Sequence, residues 1–166
     1  MIPSAAERPR GVLGGATGPL GLRAAPRVAR MPAYMGKWAI DSSSEPGVLR
    51  LKLEGAMTLA EMAAFVEAHN RAIDRYRGKD YKVWCDISAL SPLSPECTEL
   101  FEKAKRYSSQ HRNFRGSAVL VAQALVALQH RRTSIEGGVM NTELISSDEA
   151  ALREHLRTVF RPSLAP

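Results

Sequence analysis

Residues 86–96 read DISALSPLSPE, and this short stretch gathers the residue types that could do chemistry. A carboxylate, Asp86, follows the apolar run YKVWC. Ser88, Ser91 and Ser94 come next, the last two each before a proline, and Glu96 closes the stretch. One chemistry is phosphorylation of Ser91 or Ser94, because a phosphate at a helix N-terminus is stabilised by the helix dipole. Another is ligand binding at Asp86, because α/β sheets place ligand sites at the carboxyl ends of their strands. A third account is purely local: Ser94, Pro95 and Glu96 have the types of an N-cap, N1 and N2 at a helix start. Asp86 has a local account too, accepting backbone N–H groups around Ser88. One carboxylate with no base, nucleophile or metal partner is not a catalytic set. The chain is therefore expected not to be an enzyme, and no residue is assigned a catalytic role.

The remaining reactive side chains are scattered. Two cysteines, Cys85 and Cys97, make no disulfide framework. With no CxxC and no His/Cys cluster, neither a metal nor another cofactor is expected. The four histidines are far apart. His69 and His111 fall on apolar helical stripes and read as core-edge residues. His130 lies in QHRR, which could meet a phosphate but reads more simply as a solvated helix face. His155 shows no metal spacing. Lys103, Lys105, Arg106, Arg112 and Arg115 form a basic run that could receive an acidic partner or be a charged solvent face.

The net charge of +6 is concentrated at the start of the chain. Five arginines against one glutamate in residues 1–30 account for +4 of it, which leaves the rest near neutral. No glycine-rich phosphate loop follows a strand, and aromatics are not interleaved with the basic residues, so nucleic acid is not an expected partner. No apolar run reaches the roughly 18 residues of a membrane span. A reducing cytoplasm fits best.

Residues 1–34, rich in Gly, Pro, Ala and Arg, lack periodicity and are expected to be disordered. They hold no continuous apolar h-region of the kind a secretory signal needs. Met31 and Met35 stand just before the regular pattern, so the natural start could lie at Met1, Met31 or Met35. The folded domain is expected over residues 35–160, with a disordered tail over 161–166.

From Trp38 the pattern is regular. KWAID and VLRLKLEG read as a hairpin, the second strand turning Leu49, Leu51 and Leu53 to the core. Thr58 with Glu61 forms a capping box. It opens a helix with Leu59, Met62, Val66, His69, Ile73 and Tyr76 on one face, ending at Gly78. YKVWCDI is a strand, and SPECTELFEKAKRYSSQHR a helix with a stripe of Cys97, Leu100, Phe101, Ala104, Tyr107 and His111. SAVLVA reads as a strand buried on both faces. A shorter helix, QALVALQHRRTSI, follows, then a fifth strand, TELIS, and a last helix opened by Ser147. The order β-β-α-β-α-β-α-β-α argues a single α/β domain with a mostly parallel sheet and right-handed crossovers. Leu51, Val66, Val83, Leu100 and Val119 are expected to be buried.

This order resembles the STAS domain, the fold of bacterial anti-sigma-factor antagonists, and more closely the divergent bacterial proteins grouped as SpoIIAA-like. The resemblance spans about residues 38–156. It is carried by LRLKLEGAMTLAEM, KVWCDISALSPLSPE, RGSAVLVA and ISSDEAALREHL. In antagonists that act as phosphoswitches the strand is followed by Asp-Ser-Ser/Thr-Gly. Laid from Asp86, that motif falls on residues 94–97, where Glu96 occupies the acceptor position and Cys97 the glycine. The switch serine therefore does not carry over.

The resemblance implies a non-enzymatic protein-interaction module in bacterial signalling or regulation, with another protein as partner and weak self-association in prospect. Its surface would centre on residues 88–95 and the helix they start, using Asp86, Ser88, Ser91, Ser94 and Glu96. Lys103, Arg106, Arg112 and Arg115 would be a basic contact face. The alternative is a small carrier of an apolar or lipid ligand, which would need a cavity behind the second and third helices.

Overall fold

The computed structural model describes residues 35–159; the expectations for residues 1–34 and 161–166 lie outside them. Two strands, β1 (Lys37–Asp41) and β2 (Val48–Glu54), form the hairpin, turned by Asp41, whose carboxylate accepts from the backbone of Ser43 at 2.8 Å. There follow α1 (Leu59–Asp74), β3 (Tyr81–Asp86), α2 (Pro95–Gln110), β4 (Phe114–Leu120), α3 (Ala124–Glu136), a short 3-10 turn (Met140–Thr142), β5 (Glu143–Ser146) and α4 (Glu149–Thr158). The order matches the expected one. The strands lie in the sequence β1-β2-β3-β4-β5, antiparallel at the hairpin and parallel elsewhere.

The larger core lies on one face of the sheet. Leu49, Leu51 and Leu53 are buried there, together with Val83, Cys85 and Val119 and the inner residues of α1 and α2. Phe65 of α1 and Phe101 of α2 stack at 5.9 Å, and Trp38 meets Phe65 edge-on at 6.1 Å, which ties the hairpin to both helices. On the other face Leu152 of α4 closes a smaller cluster over Trp84 and Ala118. The guanidinium groups of Arg50 and Arg153 lie over the Trp84 ring, 5.9 and 5.2 Å from its centre, and with Leu152 they help to cover the indole.

Several local expectations shift. The Thr58–Glu61 capping box forms as anticipated. The buried stripe of α1 is Met62, Phe65, His69, Ala72 and Ile73, however, which leaves Leu59 exposed and Val66 half-buried. The helix stops at Asp74, four residues before Gly78, because the following residues turn back with Arg77 at φ 47° and Gly78 at φ 81°. On α2, Lys105 and Ser108 replace Leu100 and Tyr107 on the inward face, and Leu100 is half-buried. The last helix is capped by Asp148, not Ser147: its carboxylate takes both the Ala150 and Ala151 N–H, a charge-assisted cap that a hydroxyl cannot match. His130 is fully buried, edge-on to Phe101 at 4.5 Å, and neither solvated nor placed to meet a phosphate. Burial holds its ring well below the usual imidazole range, helped by the Lys105 ammonium.

Candidate interaction site at the loop after β3

The loop over residues 87–94 is fastened on three sides. At its start Ile87 donates to Leu120 O of β4, and Leu90 donates back to Ile87 O. In its middle it is stitched to the β2–α1 connection, where Gly55 donates to Ala89 O and Ser91 donates to Gly55 O, both at 2.9 Å. Gly55 adopts φ 70° to make this close double exchange, a left-handed conformation that glycine takes without a Cβ penalty. At its end the side-chain amide of Gln129 on α3 brackets Leu93, accepting from its N–H and donating to its C=O, each at 3.0 Å. Leu90 and Leu93 point inward and are buried. Loops usually satisfy their backbone with water; here the protein satisfies it, and the shape is set in advance.

The loop's own side chains are largely spent on that shape. Asp86 accepts the backbone N–H of Ser88 at 3.0 Å and its hydroxyl at 2.6 Å, the local turn anticipated from the sequence. Ser94 is the N-cap of α2, accepting Cys97 N–H at 3.2 Å, with Pro95 in the first helical turn. Glu96 is exposed in the same turn. What faces outward is Ala89, Pro92, Ser94, Pro95 and Glu96, with Ser91 half-exposed beside a groove lined also by Met35, Lys37 and Glu54. Asp86, Ser88, Ser91, Ser94 and Glu96 thus belong to one end of the sheet.

The basic residues do not share that end. Arg106 is engaged by Glu102 at 2.5 Å and by the Glu136 carbonyl at 3.1 Å. Arg115 lies on the other side of the sheet's length, at the start of β4, paired with Asp80 at 2.7 Å. Lys103 and Arg112 are exposed on different turns. Only residues 103–110 of this run are helical, about two turns, while Arg112 lies in the connection and Arg115 on β4, so a basic run in sequence becomes separate sites in space.

Sequence reasoning missed a buried ionic network on the other side of α2. Lys105 donates to Glu143 at 2.7 Å, to Ser134 Oγ at 2.8 Å and to His130 O at 3.2 Å. Glu143 accepts Ser117 Oγ at 2.8 Å through its other oxygen and the Ser134 hydroxyl through the first. Both side chains are out of solvent, at 8% and 3% exposure. The signal was available: Cys97, Phe101, Ala104, Lys105 and Ser108 follow the i, i+4, i+7, i+8, i+11 spacing of a buried face. A cavity of about 30 Å3 borders this network, lined also by His69, Ser108 and Val139. That is room for a single water. Among the described residues no group of three or more His, Cys, Asp or Glu is placed to hold a metal, and no helix is long and apolar enough to cross a membrane.

No family model matches this chain, and no curated protein matches it. A solved structure does. An uncharacterised protein of the DUF3478 family from Shewanella loihica PV-4, described as having a SpoIIAA-like fold, superposes with a TM-score of 0.53 at 15% identity. The match covers 72% of this chain and 91% of that one. The fold is SpoIIAA-like. At this identity the likeness speaks for the fold alone. It agrees with the resemblance that LRLKLEGAMTLAEM and KVWCDISALSPLSPE carry, and the element order given above is the SpoIIAA-like one.

Proposed function

We propose that this SpoIIAA-like chain is a non-enzymatic protein-interaction module acting in bacterial signalling or regulation. Its contact surface is the loop over residues 88–95 with the first turn of α2, and its partner is another protein. The observation that carries the reading is the prior fastening of that loop to Gly55, Leu120 and Gln129. A surface already held in shape loses little entropy on binding. Pro92 and Pro95 add rigidity at its outer edge. Asp86 is occupied by its own turn, accepting the Ser88 N–H and hydroxyl, and among the described residues no hydrogen bond joins this pair to a histidine or a second carboxylate, which supports a binding role over catalysis. Cys85 and Cys97 are both buried free thiols, Cys85 pushed up to about 12 by burial, which suits a reducing cytoplasm. A carrier of an apolar ligand is less well supported, because the cavity behind α2 holds about 30 Å3, far short of an acyl chain.

The test is a C-terminally tagged chromosomal copy, captured from its source organism and read by mass spectrometry, beside the exposed-loop variant Pro92→Arg/Glu96→Arg. A stoichiometric protein that copurifies with the wild type and is lost from the folded variant is expected. A clean eluate from the wild type, or a partner that the variant retains in full, refutes the assignment.

A further inference from the structure

A second depression lies at the amino ends of the parallel strands, away from the loop after β3. α4 packs on β4 and β5, and a groove of about 640 Å3 runs beside it, over the starts of β2 and β3. Five cations line this groove: Arg50, Lys82, Arg115, Arg153 and Arg157. Among the described residues its lining holds two carboxylates, Glu45 and Asp80, bound to Arg50 at 3.0 Å and to Arg115 at 2.7 Å. Arg153 and Arg157 pair with Glu149 and Glu154 of their own helix, which stand outside the lining. Every side chain of those two pairs is more than half exposed. Such pairs are weak, so both guanidinium groups can be redirected at little cost. Lys82 has no carboxylate partner among the described residues. Its ammonium donates to the Leu156 carbonyl, where it answers the negative end of α4.

We propose that this groove is a binding site for a small organic phosphate. Its cations gather about one indole. The register of β2 on β3 sets Arg50 beside Trp84 and Val48 beside Lys82, and alternate residues of a strand share a face. The guanidinium groups of Arg50 and Arg153 lie 5.9 and 5.2 Å from the centre of the Trp84 ring, hence at most about 11 Å from each other. A phosphate monoester carries about −1.5 to −2 charge and three strong acceptor oxygens, which suit guanidinium forks and an ammonium together. Charge also selects phosphate over a carboxylic acid. Glu45, Glu149 and Glu154 already offer these arginines one negative charge each. A ligand of one charge gains little by exchanging with them, whereas a doubly charged group gains. Val48 and Leu156 add apolar lining for the body of the ligand. The volume falls in the range of roughly 300–1,000 Å3 that small-molecule sites occupy.

Isothermal titration calorimetry of the full chain with phenyl phosphate, at neutral pH and low salt, tests this. One site with a dissociation constant below about 1 mM is expected. Arg153→Glu/Arg157→Glu changes two exposed helix positions and should raise that constant at least about tenfold at unchanged circular dichroism. Lys82→Met should act in the same direction. Benzoate, with the same ring and a single charge, should bind at least about tenfold more weakly than phenyl phosphate. No saturable binding up to about 10 mM overturns the proposal. So does an affinity that the folded Arg153→Glu/Arg157→Glu variant leaves unmoved, or benzoate binding as tightly as phenyl phosphate. A chain that takes polyglutamate or single-stranded RNA and refuses phenyl phosphate overturns it too, and marks the groove as a surface for a macromolecule. These results are independent of the loop after β3, since Pro92→Arg/Glu96→Arg should bind phenyl phosphate as the wild type does.

Discussion

Replacing Lys105 by methionine keeps the length of the side chain and removes its charge. In the folded chain the ammonium has three acceptors: Glu143, Ser134 and the His130 carbonyl. The substitution leaves the Glu143 carboxylate inside the protein, 3% exposed, with hydroxyl donors only. Breaking a buried pair from one side costs about 3–5 kcal/mol, because the surviving charge has lost both its water and its partner. Ser117 and Ser134 still donate to Glu143, so a loss near the lower end, about 3 kcal/mol, is expected. That is a large share of the ~5–15 kcal/mol that holds a domain of this size. Lys105→Met/Glu143→Leu removes both charges, and the double variant should be more stable than either single one. Urea unfolding followed by circular dichroism suits the measurement, since guanidinium would itself screen the charges. A Lys105→Met cost below about 1 kcal/mol, or a double variant no better than the sum of the two singles, would refute the account of this network as mutually dependent.

Three further outcomes are expected. His69 is held at about 4, below its ordinary 6.5, first by burial and then by the nearby His111. The unfolded chain therefore takes up the proton that the folded chain refuses, and stability present above pH 6.5 falls as pH drops toward 4, by about 3 kcal/mol in full. A pH series of urea midpoints unchanged by His69→Gln would put the titration elsewhere. Ser94→Ala should cost about 1 kcal/mol through the lost α2 cap, and Ser94→Asp almost nothing; equal midpoints for wild type and alanine variant would contradict the capping role. Gly116→Ala should lower the thermal midpoint, because a Cβ there would stand 2.7 Å from both Thr142 O and a Val159 methyl at a φ of +150°. A loss of roughly 1–3 kcal/mol is expected, and a neutral result would mean that the β4–α4 contact gives way easily.

The sheet was legible because its strands carry the period their burial requires. Leu49, Leu51 and Leu53 alternate with charged neighbours on a strand with one buried face, while the apolar run after Gly116 belongs to a strand covered on both. Helix phases were read less well. On α1 a stripe drawn through Leu59, Val66 and Tyr76 and one drawn through Phe65 and Ala72 both satisfy a spacing of three and four. Only the stacking of Phe65 on Phe101 decides between them, and that contact joins residues thirty-six apart in sequence.

The site divides along the same line. Asp86 to Ser88 and Ser94 to Cys97 are interactions of residues two or three apart, so residue type and spacing were enough to place them. The stitches to Gly55 and Gln129 are not, because a glycine and a glutamine carry no mark of the distant backbone they hold. The buried pair shows the limit most sharply. A lysine on an apolar stripe announces a buried ammonium only if a carboxylate waits for it, and Glu143 lies thirty-eight residues on, on another strand. Charge in sequence therefore misleads here: Lys105 stands in a basic run but belongs to the core, and the one charge of β5, Glu143, is drawn inside to meet it.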